Sequence, residues 1–291
     1  MRSLLDLVRR HADGYADRSG FAPTPFPGLG VVRMLHPGEL QVTVQKPLIA
    51  ICLQGRKRVM MGTARFDYGA GEALLITADV PTTSQIVDAS PAVPYYALAL
   101  ELDPAILRAL SVEADLHPVN AAPIRIEPAD PDVTDAALRL MRLLDRPAAL
   151  PVLGEALLRE MHYWLLTGRH GAAIRGLGAV DSHAHRIARA VALIRQDYAR
   201  ALRIGDLAAA AGMSESSFHQ HFRTITTLSP LQFQKQLRLI EARRLMLTDG
   251  AGIAHAAHAV GYESVPQFTR DYGRLFGLPP GRDMRDARLS A

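Results

Sequence analysis

Two hydrophobic periods divide this chain. Between Val31 and Leu102 the apolar residues come in short β-prone runs, and from Ser182 onward they recur every three or four positions. The runs predict strands over Val31–His36, Leu40–Val44, Leu48–Leu53, Lys57–Met61, Ala73–Thr77, Gln85–Val87 and Tyr95–Leu100. Turn signals separate them at Pro37-Gly38, Gly55, Gly62, Tyr68–Gly71 and Ser90-Pro91. Short strands so spaced predict a small sandwich or barrel. Residues 1–20 predict a short amphipathic helix and a loop. Further helices are expected over Pro104–Leu110, Asp132–Leu144 and Leu153–Thr167. Gly168 and Gly171 are expected to end the last of them, and the stretch around Gly176-Leu-Gly178 to link two domains, 1–178 and 182–286.

The C-terminal part contains one pattern twice, over 204–226 and 253–276. Ile204, Leu207, Ala208 and Ala211 mark a helical face that Ile253, Ala256, Ala257 and Val260 repeat at i, i+3, i+4, i+7. Gly212 and Gly261 follow, where positive φ lets the chain turn sharply. Phe218 and Phe222 are then matched by Phe268 and Tyr272, and Pro230 by Pro280. Two helix-turn-helix units are predicted, joined by a long helix to Leu247 with Phe233, Leu237, Ile240 and Leu247 inward.

Helix starts agree. Ser214 is placed to cap Glu215–Thr226, Ser229-Pro230 opens the long helix, and Ser264 and Gln267 have capping-box spacing. In such units the second helix enters the major groove of DNA. With the aromatics buried, Ser216, Ser217, His219, Gln220 and Arg223 face outward in the first unit, and Val265, Pro266, Thr269 and Arg270 in the second. Arginine pairs with guanine, glutamine with adenine, and apolar groups meet a thymine methyl. Arg223 is placed for phosphate, and Arg270 for either a base edge or a phosphate.

Charge supports this partition. From Asp181 onward there are 15 Lys and Arg against 10 Asp and Glu, whereas residues 1–180 carry 18 against 19. A basic third suits a phosphate-binding surface. One cysteine, Cys52, excludes an internal disulfide, and no apolar run is long enough to span a membrane. The start lacks a signal-peptide core, so a soluble cytoplasmic protein is expected.

Met213–Phe222, Leu228–Phe233, Glu241–Leu245, Val260–Phe268 and Phe276–Pro280 closely resemble the AraC/XylS family of bacterial transcription regulators over Ser182–Arg285. The resemblance implies that Ser216, His219 and Gln220, and Val265, Pro266, Thr269 and Arg270, read bases. Gly273 departs from it, since the family usually carries a long or charged residue there. Residues 31–175 resemble the cupin-type sensor domain of one branch of the family, through Leu53–Val59, Tyr68–Glu72, Ala89–Tyr95 and Glu160–Gly168. The implied fold is multidomain α+β, a cupin-like β-barrel with a helical appendage followed by an all-α DNA-binding domain. The implied partners are double-stranded operator DNA, a small-molecule effector in the barrel and a second copy of the chain, with RNA polymerase a further candidate.

Rival chemistries find little support. A metal-dependent oxygenase of cupin type needs histidines on its strands, and none lies between His36 and His117. His183/His185, His219/His221 and His255/His258 lack cysteine partners and fall in or beside the DNA-binding helices. No phosphate loop, nucleophile elbow or H-E-x-x-H occurs. No catalytic residue, metal or cofactor is therefore expected. Cys52 among apolar neighbours is expected to be buried and inert, Trp164 to pack, and Arg56-Lys-Arg58 to form a solvated hairpin. Leu138, Met141, Leu157, Met161 and Leu165 form apolar stripes that suggest a dimer interface.

Overall fold

The computed structural model of the chain describes residues 3–38, 41–62, 64–117, 124–178 and 182–289. They divide into two compact units, drawn mainly from the chain up to His185 and from Arg186 onward. None of the described helices is long and apolar enough to cross a membrane.

The N-terminal part opens with α1 (Leu4–Tyr15), closed at its start by a capping box of Ser3 and Asp6. Among the described residues ten strands form two antiparallel sheets. The larger has the order β1 (Phe21–Pro23), β2 (Leu29–Met34), β9 (Tyr95–Glu101), β4 (Leu48–Gln54), β7 (Glu72–Ile76), β10 (Ile124–Pro128). The smaller runs β3 (Gln41–Gln45), β8 (Val80–Asp88), β5 (Arg56–Met61), β6 (Ala64–Gly69). The expected cupin-like region is thus built as two sheets rather than one closed barrel. Leu40, where a strand was expected to begin, lies outside the described residues, as does Asp181.

Side chains alternate between sheet faces. Ile49, Ile51, Ala73, Leu75, Leu98 and Leu100 share a core with Leu7 and Val8 of α1. The same core takes in α2 (Pro104–Glu113), α3 (Pro131–Leu143) and α4 (Leu150–Thr167), through Leu107, Leu140, Met161 and Leu165 among others. The opposite face presents Ala50, Cys52, Leu74, Ile76, Tyr95 and Ala97, all buried. Tyr95 is hydrogen-bonded there to Tyr68 of the smaller sheet, so this face meets the second sheet.

Three strands were not anticipated. β1 is three residues long and ends in proline, and β6 is mostly polar. β10 has two apolar residues, and its partner β7 lies far back in the chain (Ile124 opposite Ile76). The expected linker is in part a helix, α5 (Gly171–Gly178), whose Ile174 is buried in the core. Gly168 ends α4 as expected, but Gly171 begins a helix; glycine is required there because an added Cβ would strike the Leu166 carbonyl.

The dimer stripes are largely used up. Met141, Met161 and Leu165 are buried in this core, and Leu138 and Leu157 pack against it. Trp164 also packs, its Nε1 donating to Glu160 Oε1 at 3.1 Å, while Arg139 grips the same carboxylate at 2.8 and 2.6 Å. Cys52 is buried, and burial pushes its thiol up to about 12, so it stays neutral and unreactive.

Candidate nucleic-acid interface

From Ser182 the described chain is helical: α6 (His183–Gln196), α7 (Ile204–Ala211), α8 (Glu215–Thr226), α9 (Pro230–Thr248), α10 (Ile253–Ala259), α11 (Val265–Phe276) and α12 (Pro280–Leu289). The duplicated pattern gives two helix-turn-helix units, α7–α8 and α10–α11. Both turns use glycine in the left-handed region, Gly212 at φ 61° and Gly261 at φ 85°. At Gly261 a Cβ would collide with the Ala199 carbonyl, so the requirement there is steric as well as conformational.

Each unit buries an aromatic ladder. Phe218 and Phe222 lie 5.3 Å apart with their rings tilted by 60°, and Phe222 meets Phe233 edge-on at 5.7 Å. In the second, Phe268 and Tyr272 lie 5.5 Å apart and Tyr272 and Phe276 4.4 Å. Such rings turn the opposite helix face outward. Ser214 caps α8 by accepting from the Ser217 N–H at 3.3 Å, and Ser264 caps α11 by accepting from the Gln267 N–H at 3.4 Å. A full capping box forms at Ser229 and Gln232, opening α9.

α9 serves both cores. Phe233 and Leu237 belong to the first, and Leu239, Ala242 and Met246 to the second. At about 100° per residue these two sets lie on nearly opposite faces. Leu247, expected inward, is instead exposed, because it shares the Phe233 face about 15 Å beyond Leu237, past the first core. Ile240 is half-buried against the second core.

Arginines hold both turns by their carbonyls. Arg186 donates to Ala211 O at 3.0 Å and to Gly212 O, and Arg189 donates to Ala211 O at 3.3 Å. Arg238 of α9 reaches further. It donates to Tyr198 O (2.7 Å), Ala199 O (3.2 Å) and Arg200 O (2.9 Å) before the first unit, and to Gly261 O (3.0 Å) in the second turn. Gln234, one turn earlier, donates to Tyr198 O and Arg200 O at 2.9 and 2.6 Å. Both side chains border a cleft of about 620 Å³ beside the second unit, which the Lys235–Asp271 ion pair (2.7 Å) spans. Sequence reading missed this brace. The available signal was a Gln and an Arg four apart, each just after an inward apolar residue of α9.

The expected contact residues do reach the surface, unequally. Ser216, His219, Gln220 and Arg223 of α8 are exposed and Ser217 is half-buried; on α11, Pro266 and Arg270 are exposed, while Val265 and Thr269 are half-buried. Val265 packs against the second core. Gln267, read from sequence only as a cap partner, is exposed beside Pro266 and Arg270. Neither Arg223 nor Arg270 takes part in an ion pair among the described residues, whereas Arg274 on the next turn lies 3.7 Å from Asp271.

The profile of the AraC-type transcriptional regulator N-terminus matches residues 25–173, and that of a helix-turn-helix domain matches residues 207–286. The chain belongs to the AraC-type transcriptional regulators. Members of this family are regulators rather than enzymes. A putative AraC-like transcription regulator of Streptomyces lividans is 32% identical over 95 residues, 33% of this chain and 31% of that one. The chain therefore spans about a third of that relative's length. An apo variant of ToxT from Vibrio cholerae strain SCE256 aligns with 88% of this chain and 97% of its own, at TM-score 0.56 and 10% identity. ToxT of the same strain with an unsaturated fatty acid bound aligns at TM-score 0.52 and 11% identity over 88% and 94%. At such identity these two describe the fold alone.

Gly273, where this chain departs from the family's usual residue, continues α11 with open space around the position of a Cβ. Gly273→Ala is expected to stabilise the protein by about 0.5–1 kcal/mol, because alanine loses less backbone freedom in a helix. Chemical denaturation measures this. An unchanged midpoint would mean that the turn after Gly273 needs its freedom.

Proposed function

We propose that the chain is a DNA-binding transcription regulator in which α8 and α11 enter successive major-groove segments of one duplex. Ser216, Ser217, His219, Gln220 and Arg223 form the first contact surface, and Val265, Pro266, Thr269 and Arg270 the second, with Gln267 added. The carrying observation is that two helix-turn-helix units, fixed to one helix, each turn the face of the second helix opposite its aromatics to solvent. On B-DNA such faces fit sites about one helical turn, roughly 34 Å, apart.

A small organic effector bound within the N-terminal domain is part of the same proposal. ToxT with its bound fatty acid supports the effector class, and domain order supports a sensor acting on a DNA reader. A homodimer remains the proposed assembly, with Val152 (75% exposed) and Leu153 (47%) at the start of α4 as apolar surface left uncovered by the core. RNA polymerase is the proposed downstream partner, and the cytoplasm the proposed location.

Arg270 provides the test. Arg270→Ala in the full chain is expected to cost about 1–3 kcal/mol on the preferred site and to relax preference at one base pair. Competition titrations with specific and random duplexes measure it. Equal weakening on both would assign Arg270 to phosphate, and no weakening on either would remove α11 from the interface.

A further inference from the structure

The run Arg56-Lys-Arg58 is not the solvated hairpin its charge suggests. On β5, Arg56 and Met60 are exposed, and Arg58 pairs with Asp67 at 2.9 Å. Lys57 lies on the other face, which it shares with the buried Val59 and Met61. Its partner across the β5–β6 ladder is Tyr68, itself buried and hydrogen-bonded to Tyr95 of the larger sheet. Lys57 therefore faces the space between the sheets, where it senses the buried Cys52.

This ammonium has no counter-charge. Protein packed around it holds its pKa below the usual lysine range, and the only opposing influence is Cys52, whose thiol is neutral. Among the described residues no carboxylate pairs with Lys57 and no acceptor takes its protons, while Glu72 is engaged by the Gly69 N–H at 2.8 Å. Lys57 is half-buried, and even a partly desolvated charge without a partner is costly. The facing sheet presents apolar Ala50, Leu74, Ile76 and Ala97, while the polar groups are the Tyr68 and Tyr95 hydroxyls and, on β8 next to β5, the buried Thr82 and Ser84.

We propose that Lys57 anchors the anionic head of the effector, an organic carboxylate whose apolar body lies between the two sheets. This rests on the effector reading above and names the ligand's chemistry. The carboxylate supplies the missing counter-charge, and the Tyr68 hydroxyl, which accepts from Tyr95, adds a donor beside it.

Full-length protein titrated calorimetrically with decanoate and with decanol tests the assignment. Wild type is expected to bind decanoate at least about tenfold more tightly than decanol. Lys57→Met is expected to erase that preference while keeping decanol binding, and Lys57→Arg to retain the preference. The ligand-free Lys57→Met protein should melt no lower than wild type, which separates lost recognition from lost folding. Equal affinity of wild type for both ligands, or a preference that survives in Lys57→Met, overturns the anchor. If both ligands then still change DNA affinity, the effector reading stands without it; if neither binds, both fall.

Discussion

Arg238→Met is expected to weaken binding to a two-segment DNA site by more than about tenfold while leaving each helix-turn-helix unit folded. The arginine joins four carbonyls, three in the Tyr198–Arg200 loop and one at Gly261, and thereby ties the second turn to the segment leading into the first unit. Burial lowers its pKa, yet guanidinium remains charged at any physiological pH, so these are charge-assisted bonds. Removing such bonds costs about 1.5–3 kcal/mol for a hydrogen bond to a charged group. Methionine keeps much of the volume, so the aromatic ladders should survive. The loss should therefore fall on the spacing between α8 and α11. Binding is to be compared on duplexes carrying both segments at varied separations. The variant should lose discrimination between spacings and keep weak binding to one segment. A variant that binds and discriminates as wild type does would show that α9 alone fixes the geometry.

Asp283→Ala is expected to destabilise the second unit by about 3–5 kcal/mol, the range for removing one partner of a buried ion pair. Asp283 accepts from Arg243 Nε at 2.8 Å, from Arg243 Nη2 at 3.0 Å and from the Tyr272 hydroxyl at 2.5 Å. Without it Arg243, also lying over the Phe276 ring at 5.3 Å, keeps a largely enclosed charge and Tyr272 loses its acceptor. pH dependence follows in sign. Burial raises the Asp283 pKa, but the bonds from Arg243 and Tyr272 outweigh it and hold the carboxyl below its usual range. A depressed pKa contributes stability that is fully present above the unfolded value, about 3.9, and is lost as pH falls through the folded one. Thermal melts from neutral to acid pH should show wild type losing stability on that limb, and Asp283→Ala starting lower and falling less. Parallel acid limbs would mean that other carboxylates govern acid unfolding.

Legibility followed physical period. The α7–α8 and α10–α11 units could be read because each has one apolar face, a glycine turn and paired aromatics, all local in the chain. α9 was misread at Leu247 because a helix shared by two cores has no single stripe. Met246, one residue earlier, takes the inward place. The long-range strand β10 was hidden because its partner Ile76 is nowhere near Ile124 in sequence. Lys57 was hidden by its neighbours, since a charged run masks which member faces inward. Exposure of Ser216, His219, Gln220, Pro266 and Arg270 could be anticipated from helical spacing, whereas the Arg238 brace required knowing which loop lies against α9.

Selection of the full-length protein on random duplex DNA tests the central claim most directly, repeated at two salt concentrations. Two recognition helices on one rigid α9 predict enrichment of a site with two conserved segments about 10 base pairs apart, bound less tightly as salt rises. Failure of folded protein to enrich any sequence, with binding indifferent to salt, would contradict it.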